Sequence, residues 1–349
     1  MKNRNEKRVE KMAERINKHT VVLRKKPRII SNAAVAGKKE GEGPLGDEFD
    51  MVFEDTTLGE TTWEKAESMI FEKALTLAIK KAGLANTDIE AVFAGDLLNQ
   101  CMSSCFGARD MMIPFAGVYG ACSTMALSLI LASLAVETGA FRYAAAATSS
   151  HFCSAEKQFR YPLEYGGQRA PTAQWTVTGS GAVILGAEGE GPYIDKVHIG
   201  TVCDLGIKDM NNMGAAMAPA AKKTIADFLI ETKTKPEDYD LILTGDLGQT
   251  GTQLLYELLK KESGIDISGV HGDCGLMIYE REKQDVHSGG SGCGCSASVL
   301  CSKILNSMRK GEMKKIMFVA TGALLSGVSS LQGESIPGIA HGVIIKSEV

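Results

Sequence analysis

Between Met125 and Thr138 the chain is apolar on nearly every helical face, through Met125, Leu127, Leu129, Ile130, Leu131, Leu134 and Val136. A helix of this kind belongs inside a large core, because it has no polar face to turn to water. Directly before it stands Tyr119-Gly120-Ala121-Cys122-Ser123-Thr124, a small-residue turn that delivers a cysteine to the helix start. Thr62 to Ala82 shows the contrasting pattern, with apolar positions at helical spacing and a stop at Gly83, and predicts a long amphipathic helix. Ile89–Ala94, Arg142–Thr148 and Gly181–Gly186 are short apolar runs that read as buried strands. Phe152–Thr176 has no period and is long for a connector, so it is expected to be an irregular functional loop.

The same plan then recurs. Asp88 to Leu97 reappears as Asp238 to Leu247, an offset of 238 − 88 = 150. Cys122-Ser123 pairs with Cys295-Ser296 at an offset of 173, and Ala147-Thr148 falls on Ala320-Thr321 at that same offset. The run from Gly342 matches the run from Gly181 (342 − 181 = 161). Landmarks repeated in the same order predict a duplicated βαβαβ unit, with parallel-rich sheets covered by helices on both faces. The expected organisation is a basic extension over residues 1–20, a first half over 21–195 carrying Cys122, and a second half over 196–349.

Composition excludes several classes. The chain of 349 residues is 44% hydrophobic and 23% charged, which is ordinary for a globular protein. A net charge of −4 argues against a nucleic-acid binder. No apolar run reaches the roughly 18 residues of a membrane span, and no signal peptide is read at the N-terminus. Met1 to His19 is mostly charged, with Val9, Met12, Ala13 and Ile16 at helical spacing. It predicts a short basic helix, either a solvated tail or a segment that lies on an anionic membrane surface. The nine cysteines are odd in number and suit a reducing compartment better than a disulfide framework. Cys293-x-Cys295 is too closely spaced for a zinc site, so no metal is expected. Gly289-Gly290-Ser291-Gly292 lacks the Lys-Ser/Thr ending of a phosphate loop and reads as close backbone packing.

Cys122 sits where unpaired backbone N–H groups and the helix dipole lower a thiol pKa and attract anions. With two duplicated halves behind that cysteine, the chain resembles the thiolase and ketoacyl-synthase superfamily, and within it the branch encoded with the spore dipicolinate channel. The matching stretches are Gly43–Gly46, Ala94–Gln100, Phe115–Thr124, Ala147–His151, Phe159–Gln168 and Val177–Gly181. They continue through Ala215–Ala221, Asp273–Tyr279, Gly289–Ser296 and Glu334–Pro337. The resemblance runs from about Val21 onward and implies an α/β fold of two halves stacked as a five-layer αβαβα sandwich.

For active members the resemblance implies a thiolate with two polar partners, usually His with His or Asn. Here the corresponding turns read Gly245-Asp246-Leu247-Gly248 and Gly292-Cys293-Gly294-Cys295. The nucleophile position survives at Cys122 while both partners have changed, so no catalytic residue and no cofactor are expected. The branch implies instead a binder of dipicolinic acid (pyridine-2,6-dicarboxylate), with or without calcium, acting in sporulation and germination. It also implies a homodimer peripheral to the spore inner membrane that contacts membrane subunits of the channel. The alternative is an acyl-thioester condensing enzyme using Cys122.

The expected pocket combines Cys122 and Ser123 with Asp96, Asn99 and Gln100 from the neighbouring strand end, and with Arg160, Tyr161 and Arg169 from the loop above. His151 and His341 stand near strand ends at its rim, and Cys293 and Cys295 lie in the second-half turn. Arginine forks and backbone N–H groups suit carboxylates. Each residue also has a structural reading, Arg160 pairing with Glu156 or Glu164 and Asp96 capping a helix.

Overall fold

The computed structural model describes residues 13–159 and 169–348. The first half contributes strands β1 (Arg28–Gly37), β2 (Ala91–Gly95), β3 (Phe115–Gly117), β4 (Tyr143–Ser150) and β5 (Gly179–Gly186). The second contributes β6 (Tyr193–His198), β7 (Leu241–Thr244), β8 (His271–Asp273), β9 (Lys315–Ala323) and β10 (Gly338–Lys346). The spatial orders are β1-β5-β4-β2-β3 and β6-β10-β9-β7-β8, which is one permutation used twice. The strand directions repeat as well. First with fifth and fifth with fourth are antiparallel, whereas fourth with second and second with third are parallel. The two sheets touch edge to edge through one residue pair, Tyr193 with Arg28.

Seven helices position the layers, α1 (Trp63–Lys81), α2 (Met102–Met111), α3 (Thr124–Glu137), α4 (Phe152–Phe159), α5 (Met213–Thr232), α6 (Gly248–Ser263) and α7 (Cys293–Val299). Helix α1 begins where Thr62 Oγ1 accepts the Lys65 N–H at 3.3 Å, a normal N-cap. It buries Ile70, Phe71 and Leu75 against Val92 and Ile184 of the first sheet. On the far side, Met217, Ile225 and Phe228 of α5 pack with Leu255 of α6 on Ile242, Met317 and Ile344. Between the sheets, Met125, Leu129 and Ile130 of α3 join Val299 and Leu300 in one core with Val183, Leu185, Phe318 and Val343. Burying each such side chain contributes about 1.5–3 kcal/mol, so the layers are held mainly by this apolar area. The result is the five-layer αβαβα sandwich.

Three sequence expectations are corrected. The described part of the basic extension is not helical. Glu14–Arg15 pairs with Val21–Val22 in a small hairpin, and Thr20–Val22 then adds to β6. The β-branched Thr20-Val21-Val22 run wins locally, and the Arg15 guanidinium ties down the turn carbonyls of Asn17 and Lys18. Residues 1–12, where the basic helix was expected to begin, lie outside the described residues. Second, Phe152–Phe159 of the expected irregular loop is helix α4, anchored by Phe152 stacking on Trp175 at 3.8 Å between centroids. Third, β6 runs straight through the expected boundary at 195. Among the described residues no helix is long and apolar enough to cross a membrane.

Candidate functional site

Cys122 is reached by a turn in which Ala121 takes φ +49°, a left-handed conformation that costs an alanine about 1–2 kcal/mol. Thr124 stabilises it twice, donating its hydroxyl to Ala121 O at 2.6 Å and accepting the Gly120 N–H at 3.1 Å. Ser123 Oγ donates to Gly120 O at 2.6 Å. The turn lies close against β9 of the second half, where only a glycine fits. A Cβ on Gly322 would stand 2.4 Å from Gly120 O and 3.3 Å from Cys122 N. Cys122 therefore sits at the contact between halves and is only 5% exposed.

Across that contact the second half presents a carboxylate. Asp246, at the end of β7, is fully buried. Its Oδ2 accepts the Gly292 N–H at 2.8 Å and the Ser291 hydroxyl at 3.3 Å, and its Oδ1 accepts the Thr321 hydroxyl at 2.8 Å. The Cys122 sulfur lies beside this carboxylate. Gln174 Nε2 bridges the two turns that carry this set, donating to Asp246 O and Gly290 O at 2.7 Å each. Burial pushes the Asp246 pKa up to about 6 against the pull of these donors. Burial first, and then the Asp246 charge, raise the Cys122 thiol well above its ordinary value. The expected lowering at the helix start is thus overturned, because burial of the sulfur, with a carboxylate beside it, outweighs the dipole. Asp246→Asn is expected to speed alkylation of Cys122 by small iodoacetamide-type reagents at about pH 8 by roughly tenfold or more, read by mass spectrometry of the native protein. An unchanged rate would refute the assignment.

Above Cys122 lies a cavity walled by Leu97, Tyr119, Ala155, Phe159, Met213 and Leu325, with Ser291 and Glu156 as polar lining. It is tight, with space for roughly two waters. A ring ligand would have to part these walls.

The other expected pocket residues mostly have structural duties. Asp96 closes its own turn, accepting Leu98 N–H at 2.8 Å and Ser104 N–H and hydroxyl at 2.8 and 2.7 Å. Asn99 and Gln100 line a different surface hollow, beside Glu64, Lys157 and Gln158. His151 accepts the Cys153 N–H at Nδ1, which leaves Nε2–H to donate to Thr56 O at 2.9 Å, a neutral tautomer fixed in place. His341 accepts the Gly200 N–H, and burial lowers its pKa to about 4. Arg169 bonds Asp285 and lies over the Trp175 ring, away from the cavity lining. Cys293 packs in one small cluster with Cys122 and donates its thiol to Ser149 O at 3.0 Å. Cys295 belongs to the central core. Arg160 and Tyr161 lie outside the described residues. All nine cysteines are free, and among the described residues no cluster of His, Cys, Asp or Glu is placed to hold a metal ion.

The sequence reading missed Asp246, Ser291 and Thr321 as a set. The signal was present, since the 150-residue offset places Asp246 opposite Asp96 and the second-half turn carries Ser291.

A doubled βαβαβ sandwich with a cysteine at the start of the central helix defines the thiolase-like class to which condensing enzymes belong. The chain belongs to the stage V sporulation protein AD family, whose model matches residues 17–346. It is 45% identical over 318 residues to stage V sporulation protein AD of Bacillus subtilis (strain 168), covering 91% of this chain and 94% of that protein. Among solved structures it is similar to 3-oxoacyl-[acyl-carrier-protein] synthase III of Aquifex aeolicus VF5, with TM-score 0.54 and 12% identity over 92% of this chain and 99% of the other. It is likewise similar to cerulenin-bound OleA of Xanthomonas campestris, with TM-score 0.58 and 14% identity over 92% and 96%. At these identities the structural likenesses establish the fold.

Proposed function

We propose that this sporulation protein binds dipicolinate at the Cys122 cavity, as a component of the spore dipicolinate channel, and does not turn over acyl thioesters. The observation that carries the non-catalytic part is the buried Asp246 carboxylate beside the Cys122 thiol. Condensation needs a thiolate and an acid–base partner. Here the partner is an anion that holds the proton on sulfur. The family membership supports the sporulation role, and the sequence places an arginine, Arg160, next to wall residue Phe159 as the candidate partner for a carboxylate. A homodimer and contact with membrane subunits belong to the same proposal.

A second reading has one observation in its favour, the apolar wall of Leu97, Phe159, Met213 and Leu325, which suits an acyl chain. Calorimetry with dipicolinate, set against mass spectrometry after incubation with acyl-coenzyme A, separates the two. Saturable dipicolinate binding without acylation of Cys122 is expected. Stoichiometric acylation followed by product release would establish the condensing reading instead.

A further inference from the structure

The floor of this cavity is built against an anion. The Ser291 hydroxyl donates inward to Asp246 at 3.3 Å, and the Cys122 sulfur stands beside the same buried carboxylate. Ser291 therefore turns lone pairs toward the cavity, above a buried negative charge. Lining residues among those described include no lysine, arginine or histidine, while Glu156 adds a carboxyl group to the wall. A bare carboxylate set on such a floor would face an acceptor over a buried negative charge, an unfavourable arrangement when unrelieved.

We propose that Asp246 is a proton-linked polarity switch beneath this cavity, so that binding of a carboxylate at the floor takes up one proton on Asp246. This rests on the carboxylate-binding reading of the same pocket. Once Asp246 is protonated, the Ser291 hydroxyl is released from it and rotates outward as a donor. The ligand oxygen then meets a donor in place of an acceptor, with no charge beneath it, while Gly292 N–H and the Thr321 hydroxyl keep Asp246 in position.

The neighbours of Asp246 make the uptake easy. From the start of α3 it faces Cys122, from the turn into α7 Cys293 and Cys295, and from the end of β8 and beyond Asp273 and Cys274. None of these is a cation. Its pKa of about 6 means that it is mostly ionised at pH 7 yet protonated at modest cost.

Calorimetry with dipicolinate at about pH 7, repeated in two buffers of different ionisation enthalpy, counts the protons. The expected count approaches one per ligand, with affinity falling about tenfold per pH unit above the Asp246 pKa. Asp246→Asn, which mimics the protonated state, should bind without uptake and with a flat pH profile. A wild-type count near zero would overturn the switch, and so would uptake that persists in Asp246→Asn. If dipicolinate does not bind at all, the proposed function falls, and the switch is read without ligand. Infrared difference spectra between about pH 5 and pH 8 should then show a buried protonated carboxyl that Asp246→Asn removes; absence of that band would likewise overturn it.

Discussion

Asp273→Ala is expected to destabilise the protein by about 4–6 kcal/mol in urea denaturation, enough to unfold many domains of this size. Asp273 is buried at the end of β8, and its carboxylate collects four donors. Oδ2 accepts the Thr244 hydroxyl at 2.7 Å and the Leu247 N–H at 2.8 Å; Oδ1 accepts the Gly248 N–H at 3.0 Å and the Leu276 N–H at 3.2 Å. Each donor left buried and unpaired costs about 1–3 kcal/mol. Part of that is offset because burial, with Asp246 nearby, already pushes the Asp273 pKa up to about 7, so its ionised form is itself costly. Asp273→Asn keeps one acceptor and should lose about half as much. The damage is also local, because Leu247 and Gly248 directly follow Asp246. A loss below about 1 kcal/mol for the alanine variant would mean that water replaces the carboxylate.

Gly322→Val should cost about 3 kcal/mol or more and expose Cys122. The added carbons would meet backbone, namely Gly120 O at 2.4 Å and Ser123 N at 3.0 Å from the first Cβ alone, and backbone does not yield as a flexible side chain does. Relief comes only by pushing the Cys122 turn away from β9. Faster alkylation of Cys122 should therefore accompany the lower denaturation midpoint. Unchanged stability would show that the halves slide freely at this contact.

What the sequence made legible were features that one segment states by itself. Helix α3 is apolar all round, so its burial needs no partner to be inferred. The duplication is legible because small and apolar residues recur in order, and the repeated strand permutation bears it out. Illegible features depend on distant partners. The Thr20–Val22 strand forms against Lys196–His198, and helix α4 is anchored by Trp175 at the far end of the same loop. The two Gly-Asp-Leu strings show the limit most sharply. Asp96 closes its own half's turn, whereas Asp246 reaches across to the other half's cysteine. Nothing within either string distinguishes them, because the packing of the halves decides which carboxylate meets the sulfur.

Strand β10 lies between β6 and β9, hydrogen-bonded to both along most of its length. Of these ten strands it is also the last to be made. Until it is, Tyr193–His198 and Lys315–Ala323 each present an unpaired edge, and the second sheet has a gap in its middle. The first half meets no such delay, since all five of its strands are made before Pro192. Synthesis therefore holds one finished sheet beside one open sheet, the situation in which exposed edges capture each other or a neighbouring chain. The Cys122 turn itself packs on Gly322 of β9, one of the two strands that border that gap.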